Sequence, residues 1–181
     1  MSILKKEGKA HRRCRRRYGP DKAVEGEMSS MKRSIHIEAP VEKVFDLFKD
    51  PRNMTETLTT PFVVKDVKMT KEGVGTYYTW ASKTPGLRME GFDVYTEFVP
   101  NQRITDRSSS GVPGDWTFSF EREDSGTKLT AEVHHRSFWG MPPLRQLVEG
   151  VQSTMMARLL SAVKAKMETT TPVRAAKRAA S

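Results

Sequence analysis

The feature of this sequence that most constrains its fold is a long apolar stripe within residues 143–168. Apolar residues recur there at spacings of three and four, which predicts one face of an α-helix. The predicted stripe consists of Leu144, Leu147, Val148, Val151, Met155, Leu159, Val163 and Met167. At about 1.5 Å per residue this helix is about 39 Å long, so it needs a wide apolar partner. We therefore expect it to pack across a sheet.

Alternating patterns that precede this helix predict the sheet. Residues 31–38 alternate as a half-buried strand does, with Ile35 and Ile37 on one side and His36 on the other. Pro40 and the Asp50-Pro51 pair then indicate the starts of two short helices. Tight turns separate six further predicted strands, which cover residues 62–71, 76–82, 87–99, 102–109, 116–123 and 128–136. The order favours an antiparallel meander that closes on the last helix.

The net charge of +9 is concentrated at the two ends of the chain. Residues 1–27 hold nine basic and four acidic residues, residues 169–181 hold three basic residues and no acidic one, and residues 28–168 carry a net +1. We therefore predict a domain at 31–168, a disordered basic arm at 1–30 and a disordered basic tail at 169–181. The arginine-rich run at 12–17 could contact polyanions nonspecifically, whereas the domain has no basic stripe that predicts specific nucleic-acid recognition. Met1, Met28 and Met31 all remain open as the start of the protein.

The remaining composition excludes several classes of site. The single Cys14 excludes an internal disulfide and a cysteine-based zinc site of the usual kind. No run of about 18 apolar residues is present, and the charged start lacks the apolar segment of a signal peptide, so we expect a cytoplasmic protein. We expect no metal and no cofactor.

Strand parity selects the side chains that would line a groove between sheet and helix. The predicted lining comprises Tyr78, Trp80, Trp116, Phe118, Phe120, Val133 and His135 from the strands, and Leu147, Val151, Met155 and Leu159 from the helix. Because the neighbouring Tyr77 is also aromatic, the sequence leaves open which face of this strand points inward.

His135 is a weak catalytic candidate, because the parity that buries Val133 also buries it. The adjacent His134 then points outward, so the two cannot share a metal ion. Polar residues on other strands favour the solvated outer face of the sheet; these are Asp93, Tyr95, Arg103 and Arg107.

Three segments resemble the Bet v 1-like, START-related (SRPBCC) superfamily, in particular its polyketide cyclase/dehydrase and lipid-transport branch. They read IEAPVEKVFDLFKDPRNM, YTEFVPNQRI and SGTKLTAEV, and the likeness covers about residues 31–168. It implies an α+β helix-grip fold, in which a curved seven-stranded antiparallel sheet wraps around the C-terminal helix and two short helices follow the first strand. This branch often carries a Trp where the present chain has Asn53-Met54-Thr55-Glu56, a departure at the entrance of the implied cavity.

Members of this superfamily bind lipids, sterols, polyketides or other small apolar molecules, and a minority catalyse cyclisation or dehydration. The resemblance therefore implies binding or carriage of a small hydrophobic ligand. An aromatase/cyclase-like enzyme and a polyanion-binding protein that acts through its tails are the alternatives. Convergent polar groups inside the cavity would favour catalysis, and a purely apolar lining would favour carriage.

Overall fold

The computed structural model describes residues 28–58, 62–84, 87–109, 114–136 and 142–170. The predicted basic arm and basic tail, including residues 12–17, lie almost entirely outside these ranges. The helices and strands of the described residues are, in chain order, β1 (Met28–Ile37), α1 (Val41–Lys49), α2 (Asn53–Thr57), β2 (Phe62–Lys68), β3 (Tyr77–Thr84), β4 (Leu87–Val99), β5 (Arg103–Ser108), β6 (Gly114–Glu123), β7 (Gly126–Arg136) and α3 (Pro142–Thr170).

The seven strands form one antiparallel sheet in the order β1-β7-β6-β5-β4-β3-β2. Each strand from β2 to β6 pairs with the next along the chain, and β1 forms the far edge by pairing with β7. Residues with left-handed backbone supply the tight connections: Asn101 has φ 59°, Asp124 has φ 47°, and Gly73 has φ 81°. A Cβ on Gly73 would also lie 2.3 Å from the ring of Phe98, so glycine is required there twice over. The predicted helix-grip fold class is confirmed.

Helix α1 is amphipathic and covers one end of the sheet. Its buried residues recur on one face, and the rings of Phe45 and Phe48 each lie 5.3 Å from the ring of Phe120 in edge-to-face contact. The Tyr95 hydroxyl donates a 2.7 Å hydrogen bond to the carbonyl of Phe48, which satisfies a helix-end acceptor. Pro40, predicted in the first turn, is the N-cap residue. These contacts fix α1 against strands β4 and β6.

Helix α3 begins and ends within a few residues of its predicted bounds, but the predicted stripe is wrong at Val151 and Met155. Val151 is 53% exposed and Met155 is 48% exposed, whereas Gln152 and Met156 are buried. The stripe holds from Leu159, which is partly buried, through Val163 and Met167. The side chains of Leu144, Leu147 and Val148 lie outside the described part.

The error in the predicted stripe of α3 has a physical cause. The sequence contains the adjacent pairs Met155-Met156 and Leu159-Leu160, so two stripes one residue apart both satisfy the helical period. The stripe that is buried passes through Gln152, and an apolar criterion rejects it for that reason. No helix within the described ranges is long and apolar enough to cross a membrane.

Candidate functional site

The inner face of the sheet is the face against which α1 and α3 pack. Phe45 of α1 and Met156 of α3 belong to the same buried cluster as Tyr95 and Phe118 of the sheet. Directly paired residues of antiparallel strands lie on the same face. The register therefore places two cross-strand rows on the inner face: one contains Tyr95, Asp106, Trp116 and Val133, and the other contains Tyr78, Asp93 and Ser108.

Asp106 is the most buried carboxyl group on this face, with 7% of its surface exposed. The Tyr78 hydroxyl donates a short hydrogen bond to its Oδ2, while Oδ1 has no hydrogen-bond partner among the described residues. Burial raises the pKa of Asp106 well above its usual 3.8, and the neighbouring charge of Asp93 raises it further. The hydrogen bond from Tyr78 opposes that rise without cancelling it. Asp106 therefore keeps its proton to higher pH than an exposed aspartate does.

Asp93 lies one strand away and is 8% exposed. Burial raises its pKa, and the side chains of Ser108, Trp80 and Tyr78 act in the opposite direction because they stabilise the charged form. The Oδ1 atom of Asp93 has no hydrogen-bond partner in the described part of the chain, and the Trp80 Nε1 atom completes no hydrogen bond of ordinary geometry there. This second carboxyl group thus also has one oxygen without a hydrogen-bond partner among the described residues.

Gln152 is a further buried polar residue, on helix α3. It is 2% exposed, and neither its amide oxygen nor its amide nitrogen has a partner among the described residues. It lies one helical turn before Met156, which belongs to the buried cluster. A buried amide without partners costs stability, so its retention is typical of a site that binds something polar.

The structure buries much of the predicted lining. Tyr78, Phe118, Phe120 and Val133 are buried, and Trp80, Trp116 and Leu159 are partly buried against the core. Tyr77 lies on the outer face, where its ring is 5.5 Å from that of Phe92, so the open parity of β3 is settled. That these residues contact a ligand stays a prediction.

Two predicted lining residues of the helix are placed elsewhere, since Val151 and Met155 are exposed. The side chains of Leu147 and His135 lie outside the described part, although the backbone of His135 pairs with Gly114. His134 lies on the outer face, with its Nε2 atom 2.9 Å from Oε1 of Glu132.

The prediction that Asp93 and Tyr95 lie on the outer face is wrong. On β4 they alternate with Phe92 and Val94, and an apolar criterion assigns those two residues to the interior instead. A bulge between Tyr95 and Glu97 then shifts the parity, so one hydrophobic pattern cannot describe the whole strand. Arg103 and Arg107 are exposed as predicted and pair with Glu97 and Asp115.

Sequence reasoning missed Asp106, Ser108 and Gln152. A signal for the first two exists on β5, because they follow Ile104 at spacings of two and therefore share the face of this fully buried residue. For Gln152 the sequence offers no comparable signal, since its burial depends on the rotation of α3.

A separate open groove of about 530 Å³ lies between β1 and α3. The Arg33 Nη2 atom donates a 2.7 Å hydrogen bond to Ser153 Oγ inside it. Its lining consists of Arg33, Ser153, Thr154, Ala157, Arg158, Ser161 and Ala162. It contains none of the residues predicted to line the cavity, and its side chains are small or basic.

A family model described as polyketide cyclase / dehydrase and lipid transport matches residues 28–168. The chain belongs to this family. The match covers β1 to the last turns of α3, which is the whole helix-grip unit described above. None of the curated protein sequences matches the chain significantly.

Solved structures share the fold at low sequence identity. The Zhui aromatase/cyclase from Streptomyces sp. R1128 is 18% identical with a TM-score of 0.65, over 83% of this chain and 99% of that one. The protein TTHA0849 from Thermus thermophilus is 19% identical with a TM-score of 0.65, over 80% of this chain and 100% of that one. Ara h 8.0201 is 13% identical with a TM-score of 0.64, over 79% and 99%. At these identities the likeness concerns the fold alone.

Proposed function

We propose that this protein binds and carries a small hydrophobic molecule between the inner face of the sheet and α3. The observation that carries the proposal is the state of two inner-face tryptophans, Trp80 and Trp116. Both pack against the buried cluster and yet remain partly accessible. Partly accessible tryptophan residues on a concave face that is lined mainly by aromatic and aliphatic side chains are typical of a surface that a ligand covers. Membership of a family described by polyketide cyclisation and lipid transport supports the same interpretation.

Titration with an apolar fluorescent probe tests the proposal. We expect saturable binding at one probe per chain, with quenching of tryptophan emission that is reduced when Trp116 is replaced by Phe. A probe that binds without saturation, or that leaves tryptophan emission unchanged, would contradict binding at the inner face.

The two faces of α3 supply a matched pair of variants. Leu159→Trp places a larger side chain on the partly buried side of the helix, so it should weaken probe binding. Met155→Trp places the same side chain one turn earlier on the exposed side, so it should leave binding unchanged. Circular dichroism of both variants verifies that the fold survives. Equal weakening by both substitutions would place the probe outside the interior.

The second candidate function is an aromatase/cyclase-like enzyme, and the buried pair of Asp106 and Asp93 is the observation that favours it. A carboxyl group that stays protonated inside an apolar site can act as a general acid. The likeness to the Zhui aromatase/cyclase supports this candidate only through the shared fold.

Turnover of a ketone-bearing substrate that falls by orders of magnitude in Asp106→Asn would establish catalysis. Carriage would be favoured if the wild type converts no substrate and the Asp106→Asn protein still binds ligand. His135→Ala tests the remaining catalytic candidate in the same assay.

A further inference from the structure

We propose that the interior selects uncharged apolar ligands that carry a carbonyl oxygen and that it rejects carboxylates. The groups that would hold the ligand are the Oδ1 atoms of Asp106 and Asp93 and the side-chain amide of Gln152. This inference rests on the proposed function, since it names the chemical class of the ligand that the same interior takes.

The hydrogen bond from Tyr78 decides how Asp106 can act. Tyr78 donates to Oδ2, so that oxygen serves as an acceptor and the acid proton belongs on Oδ1. Oδ1 is buried and has no partner among the described residues. A protonated Oδ1 is a donor, and a buried donor requires an acceptor. A carbonyl oxygen meets that requirement without bringing a charge into the interior.

Asp93 strengthens this arrangement from the neighbouring strand. It pairs with Ser108, two residues beyond Asp106, so the two acids are diagonal neighbours about 7–8 Å apart at their Cα atoms. Their charges repel one another in surroundings of low polarity, which disfavours two ionised carboxylates at once. Burial raises the pKa of both groups, and the charge of Asp93 raises that of Asp106 further. The inner face thus favours at least one protonated carboxyl group over a pair of negative charges.

Gln152 and the composition of the buried polar residues that the structure describes define what the interior excludes. The Gln152 amide offers one further donor and one further acceptor from the helix side. Among the described residues, the buried polar and charged groups include no Lys and no Arg. A ligand carboxylate would therefore lose its water beside two acids, with no buried Lys or Arg of the described residues to compensate, which is costly. Arg33 pairs with Ala131 on the inner face, but its side chain is exposed and donates its hydrogen bond to Ser153 Oγ.

Three probes of nearly the same shape test this selectivity: fluorene, fluorenone and fluorenecarboxylate. Each is titrated against the full chain near neutral pH, with tryptophan quenching and isothermal calorimetry as readouts. We expect fluorenone to bind about tenfold more tightly than fluorene, the gain of one buried hydrogen bond, and fluorenecarboxylate to bind more weakly than either.

Four variants assign the effect to the named groups. Asp106→Asn keeps an acceptor for Tyr78 and an N–H donor for the ligand, so the preference for fluorenone should persist. Asp106→Leu and Gln152→Leu remove those donors, so the preference should fall while fluorene still binds. Asp115→Leu is the control for an acid on the outer face, where Asp115 pairs with Arg107, and it should change neither affinity.

Equal affinities for fluorene and fluorenone, or tight binding of the carboxylate, would overturn this inference and leave the proposed function standing. A preference for fluorenone that survives both Asp106→Leu and Gln152→Leu would overturn the assignment to these residues. Failure of all three probes to bind would overturn the proposed function together with the inference.

Discussion

Replacing Gln152 by Leu should stabilise the protein, although it removes a native side chain from the interior. Gln152 is buried on α3, and both of its amide atoms lack partners among the described residues. The amide therefore gives up its hydrogen bonds to water when the chain folds and regains none from the described residues. Leu has a similar volume and helix propensity and carries no polar atom, so it removes this penalty and keeps the contact with the core.

The size of the effect follows from the cost of a buried polar group without a partner. That cost is about 1–3 kcal/mol, so the free energy of unfolding should rise by about 2 kcal/mol in Gln152→Leu. For a domain of this size, a change of about 2 kcal/mol raises Tm by roughly 4–8 °C.

Urea unfolding followed by circular dichroism measures the effect directly. The matched control is Gln146→Leu, since Gln146 lies on the same helix with an exposed side chain and should change stability by less than about 0.5 kcal/mol. An unchanged or lower stability of Gln152→Leu, with the control as expected, would refute the reasoning. It would mean that the Gln152 amide is satisfied within the folded protein.

Three further predictions test other parts of the structure. Met156→Ala should lower the free energy of unfolding by about 2–5 kcal/mol because Met156 is fully buried. Met155→Ala should change it by less than about 0.5 kcal/mol because Met155 is exposed. Equal losses in urea unfolding would refute the assignment of the buried face of α3. Burial raises the pKa of Asp106 above its usual 3.8, so the folded state retains a proton that the unfolded chain releases. The free energy of unfolding should therefore fall as pH rises from 3.8 through the raised pKa. Asp106→Asn should flatten that fall in unfolding curves recorded across this range. Gly91→Ala would put a Cβ 2.3 Å from the Trp80 ring, so the ring must move, and both tryptophan emission and fluorene affinity should change; unaltered emission would contradict the packing of Trp80.

The sequence was sufficient to predict the order of elements, because each element carries its own local signal. Glycine, proline and asparagine mark the turns, as at Gly73 and Asn101, and alternating apolar residues mark the strands. Strand β4 was predicted with the bounds that the structure has, Leu87–Val99. Local chemistry therefore determines most of this fold.

The candidate site was harder to predict because it violates the pattern that identifies strands and helices. Asp93 and Asp106 lie on an inner face where apolar side chains are expected, and Gln152 interrupts the buried stripe of α3. A hydrophobic criterion assigns each of them to the solvent side. Their burial depends on strand pairing, on the bulge after Tyr95 and on the rotation of α3, all of which are tertiary features. Polar residues that break a pattern are common at sites of function.

The most direct test of ligand binding at the inner face is nuclear magnetic resonance of the tryptophan indole groups during titration with an apolar probe. Trp80 and Trp116 are on the inner face and partly accessible, so their Nε1–H resonances should shift saturably at one probe per chain. Substitution of each tryptophan by Phe assigns its resonance. Backbone amides of Val151 and Met155, on the exposed side of α3, should shift less than those of Met156 and Leu160. Saturable shifts confined to Val151 and Met155, with unchanged resonances of Trp80 and Trp116, would contradict binding between the sheet and the helix.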